Sequence, residues 1–239
     1  MFIVNIPREA LIQLLPKEGI GLEIGVALGD FSAALLTVTQ PKKLHLVDPW
    51  EFQERDDYRA DPNNVPTTEG DKRHATVLTR FNNEISAGTI QVHRKFSDAA
   101  IEDFDANYFD WIYVDSIHTY DGVRNDLEQY FPLVRDGGFI LGHDFTNRDG
   151  ARKWNFEVVE AVHDFLRLHD CTLIAVTQEI CPTYLIMKQH YRNFSAYQTI
   201  HRVLTQSAQI CFEVPDHMLG QLRHKETSGP HGLRCWFSF

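Results

Sequence analysis

Short apolar runs alternate with stretches of helical spacing along most of this chain. GIGLEIGV, KKLHLVDPW, TIQVHRKF, FDWIYVD and GGFILGHDF are five such runs. Between them lie PREALIQLLP, opened by Pro7 and closed by Pro16, and DFSAALLTV, which follows Gly29. SDAAIEDF begins like a helix capped by Ser97 or Asp98. TYDGVRNDLEQYFPLV puts Val123, Leu127, Tyr130 and Phe131 at helical spacing, and KWNFEVVEAVHDFLRLH is a long helical pattern. CTLIAVT and TYLIMK close the series with no helix between them, so they are expected to pair antiparallel. The alternation predicts an α/β, Rossmann-like, mostly parallel seven-stranded sheet with helices on both faces.

Two stretches break the rhythm. Residues 51–75 are polar, contain two prolines, and sit between the second run and the next helix. An insertion of that length is expected to be a lid or a binding loop. Residues 188–239 carry six basic against three acidic side chains, five of the twelve histidines, and an apolar end, RCWFSF. The expected organisation is one domain over 1–187 with the insertion at 51–75. The extension over 188–239 is expected to pack on the core or on a partner subunit. A homo-oligomer formed through Trp236, Phe237 and Phe239 is one expectation.

Charge and cysteines narrow the class. A formal net charge of -10 repels phosphate backbones, so nucleic acid is not expected as a partner. Cys171, Cys181, Cys211 and Cys235 form no C-x-x-C pair, which suits reduced thiols in the cytoplasm. No run approaches the roughly 20 apolar residues of a membrane span, and the N-terminus lacks a basic signal-peptide region. The protein is therefore expected to be cytoplasmic, without a membrane partner.

In an open parallel sheet, ligands bind beyond the carboxyl ends of the strands. The five leading runs end in GLEIGVALGDFS, in Asp48, in Phe96, Ser97 and Asp98, in Asp115 with His118, and in His143 and Asp144. Acidic groups on four of these ends argue for a site. Gly25 and Gly29 form G-x-x-x-G, which is not the G-x-G-x-x-G dinucleotide fingerprint. Glycine there lets the backbone approach a ligand, or only makes a tight turn. Glu23 stands in a strand that should be buried, and a cationic ligand would supply the partner it needs. Asp48 is placed to accept from both hydroxyls of a ribose. Asp121 suits the first turn of a helix, and Asp126 a local ion pair or hydrogen bond. His217, His224 and His231 match no ligand spacing.

The segments LEIGVALGDFS, LVDPWE and FDWIYVDSIHTYDGVRNDLEQYFPLVRDGGFILGHDF resemble the class I S-adenosylmethionine-dependent methyltransferases. More narrowly, they resemble the branch that holds the macrolide and sugar O-methyltransferases. The likeness covers about residues 18–188, and its specific parts are D-x-x-H-x-Y-x-x-V-x-x-D-L and G-G-x-x-x-x-H-D. It implies that Glu23, Gly25, Val26 and the turn to Gly29 lie under the methionine and ribose of the cofactor. Asp48 would hold the ribose, Phe96, Ser97 and Asp98 would lie beside the adenine, and Asp115 would face the cofactor. It further implies a divalent cation, Mg2+ or another, between Asp115 and Asp144. Metal enzymes of this branch often carry Asp-Asp where this chain has His143-Asp144, so His143 becomes a candidate third ligand.

The expected reaction is O-methylation of a small hydroxylated metabolite or sugar. His118, aided by Asp115, would take the hydroxyl proton. A nicotinamide-dependent oxidoreductase is a competing reading, opposed by the missing fingerprint. A non-catalytic methyltransferase-fold interaction protein is another, opposed by the polar rim.

Overall fold

The computed structural model describes residues 1–59, 61–189, 197–198, 200–201, 204, 211–230 and 232–239. His231 and most of the first part of the C-terminal extension lie outside the described residues. Eleven strands are present among them: β1 (Phe2–Val4), β2 (Ile20–Ile24), β3 (Lys43–Val47), β4 (Ile90–His93), β5 (Phe109–Val114), β6 (Val134–Gly142), β7 (Cys171–Thr177), β8 (Tyr184–Lys188), β9 (Cys211–Glu213), β10 (Arg223–Gly229) and β11 (Gly232–Ser238). The helices are α1 (Arg8–Leu11), α2 (Asp30–Thr39), α3 (Thr67–Arg80), α4 (Asn82–Ser86), α5 (Ser97–Ala100), α6 (Tyr120–Tyr130), α7 (Asp149–Arg152) and α8 (Val158–Leu168).

All seven expected strands form, and β8 runs antiparallel to both β6 and β7. The sheet nevertheless has nine strands, in the order β4-β3-β2-β5-β6-β8-β7-β1-β9. The two unforeseen strands are β1, parallel to β7, and β9, antiparallel to β1. Each is three residues long, too short to show a period. β10 and β11 form a separate hairpin.

The strand order reverses direction between β2 and β5, which makes the gap above them the ligand-binding switch point. Both strands sit mid-sheet with covered faces, so β5 is buried at all six positions and shows no alternation. On one face Leu22, Ile112, Val114 and Ile140 pack with Val123 and Leu127 of α6 and Val162 and Phe165 of α8. On the other, Leu44, Trp111, Tyr113 and Leu141 pack with Leu11, Leu35 of α2 and Val77 of α3.

Three local expectations are corrected. The residue at the N-cap of α5 is Phe96, with no side-chain cap from Ser97 or Asp98. The long pattern over residues 153–169 is helical only from Val158, because residues 153–157 lie between α7 and α8. There the Glu157 N–H donates to the His118 carbonyl at 2.8 Å, which ties the break to the site. The insertion is not all loop, since residues 67–75 begin α3. Gly70 lets that helix press on the chain after β3; a Cβ there would lie 2.0 Å from the Trp50 carbonyl oxygen. Asp121 does sit in the first turn of α6, and Asp126 accepts from the Ser116 hydroxyl at 2.5 Å.

Part of the extension touches the core. Asn147 donates to the Leu222 carbonyl at 2.9 Å, Arg148 pairs with Glu226 at 2.8 Å, and the N-terminal ammonium meets the Val214 carbonyl at 3.0 Å.

A buried relay runs along the β3–β4 edge. His45 Nδ1 meets His93 Nε2 at 2.9 Å, and His93 Nδ1 meets Asp103 at 3.1 Å. Burial, then the facing His93 and Lys43, pushes His45 down to about 3. Its folded value lies below its unfolded one, so the neutral form is favoured and stability is lost as pH falls below 6.5. The unfolding free energy from urea titration should therefore drop between pH 6.5 and 5, by at most about 1.4 kcal/mol per pH unit for each proton taken up. His45→Phe should flatten that slope; an unchanged slope would remove the relay from the account.

Candidate functional site

Above β2 and β5 the chain turns sharply. Gly25 has φ +87°, and a Cβ there would fall 1.9 Å from the carbonyl oxygen of Asp115. The glycine thus lets the turn lie against the end of β5, which brings the two loops of the site together. Asp48 fixes the same turn from the other side. Its Oδ2 accepts from the N–H groups of Val26 and Ala27 at 2.9 and 3.0 Å, and its Oδ1 from that of Trp50 at 2.7 Å. Trp50 returns a bond from its indole N–H to the Ala27 carbonyl at 2.8 Å.

A cleft of 500 Å³ opens over this turn. Of the residues expected around a cofactor, Glu23, Gly25, Val26, Asp48, Phe96, Ser97, Asp98 and Asp115 line it. Gly29 does not; it precedes α2 at φ +76°, and a Cβ there would meet the Phe81 ring at 2.8 Å. Its role is the strand-to-helix turn. Glu23 is 1% exposed and accepts a hydrogen bond from Ser32. Burial pushes its carboxyl up to about 8.

Residues that the strand ends did not announce complete the cleft. Tyr58, Asn63 and Asn64 come from the insertion, Arg73 from α3, and Arg8 from α1. Arg8 reaches the end of β5: its guanidinium lies 4.2 Å from the Phe31 ring centroid, 3.2 Å from the Tyr113 hydroxyl and 3.5 Å from Asp115. It also lines a second, open groove with His143, Glu179, Ile180, Cys181 and Arg234. An arginine just after an opening proline reads as a surface helix residue; only the packing of α1 against α2 aims it inward.

At the end of the cleft stands a polar cluster. His118 Nε2 lies 3.4 Å from Asp115 Oδ1 and 3.1 Å from Asp144 Oδ2. Its Nδ1 faces Asp61 of the insertion at 3.6 Å. Its ring packs on Phe156 with centroids 4.4 Å apart. Asp144 has φ +54°, a left-handed conformation that swings its carboxylate toward His118. Burial works to lower the His118 pKa, yet Asp115, Asp144 and Asp61 together raise it well above 6.5. With no cation bound, these carboxylates favour the protonated, donating imidazole.

Among the described residues, the group of side chains spaced to hold a metal ion is Asp115, His118 and Asp144. His118 thus takes the place expected for His143, whose Nδ1 instead contacts Asp144 at 3.2 Å and lies 3.8 Å from Asp115. Nitrogen–oxygen separations of 3.1 and 3.4 Å suit adjacent ligands on bonds of about 2.1 Å, so the three fit a divalent cation. The tail histidines form no such group among the described residues. No helix among them is long and apolar enough to cross a membrane.

Solved structures share this architecture. A protein from Clostridium thermocellum described as an rRNA methylase superposes with a TM-score of 0.54 at 14% identity, covering 76% of this chain and 95% of its own. An S-adenosylmethionine-dependent methyltransferase from Aquifex aeolicus gives 0.54 at 14%, over 77% and 90%. A Streptococcus mutans methyltransferase in complex with S-adenosylhomocysteine gives 0.52 at 12%, over 77% and 99%. No curated protein matches the chain. The family model described as "Methyltransferase domain" matches residues 22–145, from the Glu23 strand through Asp144. With the switch-point cleft and more than half of its length matched, the chain belongs to that methyltransferase-domain family, on the class I S-adenosylmethionine-dependent fold.

Proposed function

We propose that the chain moves a methyl group from S-adenosylmethionine to a hydroxyl of a small molecule, a sugar or another hydroxylated metabolite, with the help of a divalent cation. The observation that carries this reading is the Asp115–His118–Asp144 cluster at the end of a cleft lined by Glu23, Gly25, Asp48 and Ser97. The net charge of -10 favours a small acceptor over RNA, and the rRNA methylase likeness is one of fold.

When bound, the cofactor supplies a methyl carbon activated by its sulfonium, and a cation lowers the pKa of a nearby hydroxyl. The protein does the rest by position. Asp48 spends three of its four lone-pair sites on backbone N–H groups, which leaves one on Oδ1 for a ribose hydroxyl. Glu23 faces the cationic methionine end, and Phe96, with Ser97 and Asp98, borders the adenine. Asp115, His118 and Asp144 would hold the cation. The acceptor enters from the second groove, which shares Arg8 with the cleft. Its hydroxyl would be aligned with that methyl carbon, and His143 would take the hydroxyl proton on Nε2. Tyr58, buried within the insertion, helps exclude water.

The test is calorimetric titration with S-adenosylhomocysteine, with and without a divalent cation. Micromolar binding is expected, weakened about 10- to 100-fold by Asp48→Ala, since loss of a charge-assisted acceptor costs about 1.5–3 kcal/mol. Absence of binding in both conditions would overturn the reading. Once an acceptor is in hand, His143→Gln should lower turnover about 10²- to 10⁴-fold while S-adenosylhomocysteine affinity holds; unchanged turnover would take the proton away from His143.

A further inference from the structure

The insertion contributes one side chain that the matched strand ends do not explain. Asp61 comes from a polar segment, yet its side chain is only 4% exposed. It points at His118, whose Nδ1 is buried and has no hydrogen-bond partner. The separation of 3.6 Å is just beyond hydrogen-bond reach. The other ring nitrogen already faces Asp115 and Asp144. One imidazole is thus set between a carboxylate pair on its Nε2 side and a third carboxylate on its Nδ1 side.

We propose that Asp61 is a positioning residue for a histidine metal ligand. It accepts the Nδ1–H of His118, which leaves the Nε2 lone pair facing a cation held with Asp115 and Asp144, and that cation is a divalent transition metal in preference to Mg2+. This rests on the cation site of the proposed function and deepens it. A histidine ligand commonly gives its second ring N–H to a carboxylate, which fixes the tautomer and the ring plane. Phe156 packs tilted against the ring, with centroids 4.4 Å apart, and limits its rotation further. Charge agrees. Three carboxylates and Arg8, 3.5 Å from Asp115, sum to minus two around a neutral imidazole, which a dication balances. Donor chemistry agrees too. One imidazole nitrogen with two carboxylate oxygens suits Mn2+, Co2+ or Zn2+, while Mg2+ prefers oxygen alone and keeps its waters.

The insertion is tied down where this requires it. Asn155 donates from its side-chain amide to the Asp57 carbonyl at 3.1 Å, and Asp61 Oδ1 accepts from the Asn63 N–H at 2.8 Å. The second bond leaves Oδ2 for His118. The cation site is therefore complete only with the insertion seated. Part of it comes from the ends of β5 and β6, and its orienting carboxylate comes from a segment that neither strand end encodes.

The experiment titrates the chelator-treated full chain with Co2+ and with Mg2+, by calorimetry and visible absorption. A proton spectrum of the Co2+ form accompanies it. Expected are one Co2+ per chain, bound at least 100-fold more tightly than Mg2+, and a strongly shifted, solvent-exchangeable signal from the His118 Nδ1–H. Asp61→Ala should weaken Co2+ by 10- to 100-fold and lose that signal to exchange. Asp61→Asn, which keeps one acceptor oxygen, should fall between. An S-adenosylhomocysteine titration of each variant checks that the fold is intact. Equal Co2+ affinity in wild type and Asp61→Ala, or Mg2+ binding as tight as Co2+, would overturn the inference and leave the cation site standing. Binding of neither metal would overturn both, while the S-adenosylhomocysteine result would still judge the cofactor half by itself.

Discussion

Replacing Gly25 by alanine is expected to abolish S-adenosylhomocysteine binding and to destabilise the fold by more than about 3 kcal/mol. Two costs combine. At φ +87° an L side chain is strained, and the added Cβ would sit 1.9 Å from the Asp115 carbonyl oxygen and 2.5 Å from its carbon. Neither atom can move as a flexible side chain would, because the Asp115 N–H is bonded to the Ile24 carbonyl at 2.8 Å. The turn must then lift off β5, taking with it the N–H groups of Val26 and Ala27 that Asp48 holds. Gly88→Ala isolates the backbone term. Its φ is +77°, and nothing lies within 4 Å of the added carbon. It should cost about 1 kcal/mol and leave binding intact. Urea unfolding of both variants, with S-adenosylhomocysteine titration, makes the comparison. If Gly25→Ala were no worse than Gly88→Ala, close packing of the two loops would not be what the glycine is for.

Binding of S-adenosylhomocysteine near pH 7 is expected to release close to one proton per chain, and Glu23→Gln should remove that release. Burial pushes the Glu23 carboxyl up to about 8, so roughly nine in ten free chains carry its proton at pH 7. A cationic ligand end favours the carboxylate, and the proton leaves. Affinity should then rise with pH and level off above about 8, whereas Glu23→Gln should give a flat profile. The sign for stability is opposite. A carboxyl whose folded pKa is raised favours the protonated fold, so the free protein loses stability as pH rises from 4.5 toward 8. Titration in buffers of different ionisation enthalpy measures the release directly. Equal heats in all buffers would mean that Glu23 keeps its proton and its Ser32 contact, and that the cation lies elsewhere.

The strand ends show where sequence reading works. Asp48 and Asp115 follow their apolar strands directly, Phe96, Ser97 and Asp98 come within five residues of theirs, and all five line the cleft. A buried parallel strand must emerge at the sheet's carboxyl edge, so the residue after the run is placed by the strand itself. Gly25 was legible as a special position but for an incomplete reason: the nearest backbone is the neighbouring strand end, not only a ligand. Gly29 carried the same letter and serves only the turn. His118 and His143 were both legible as rim histidines. Which of them joins the two carboxylates was not, because that depends on the left-handed backbone at Asp144 and on the ring of Phe156.

The sequence by itself determined the alternation of seven strands with helices, the antiparallel final pair and the acidic rim. Each of these follows from local periodicity and from the rule that strands end at one edge. Tertiary structure alone decided the rest. β1 and β9 are three residues each and exist only because the sheet offers them an edge. Arg8 and Asp61 lie 107 and 54 positions from Asp115, in segments whose own patterns read as a surface helix and a polar loop. They reach the site because α1 packs on α2 and because the insertion folds back over the rim. Such contacts are set by the shape of the assembled core, and no spacing along the chain encodes them.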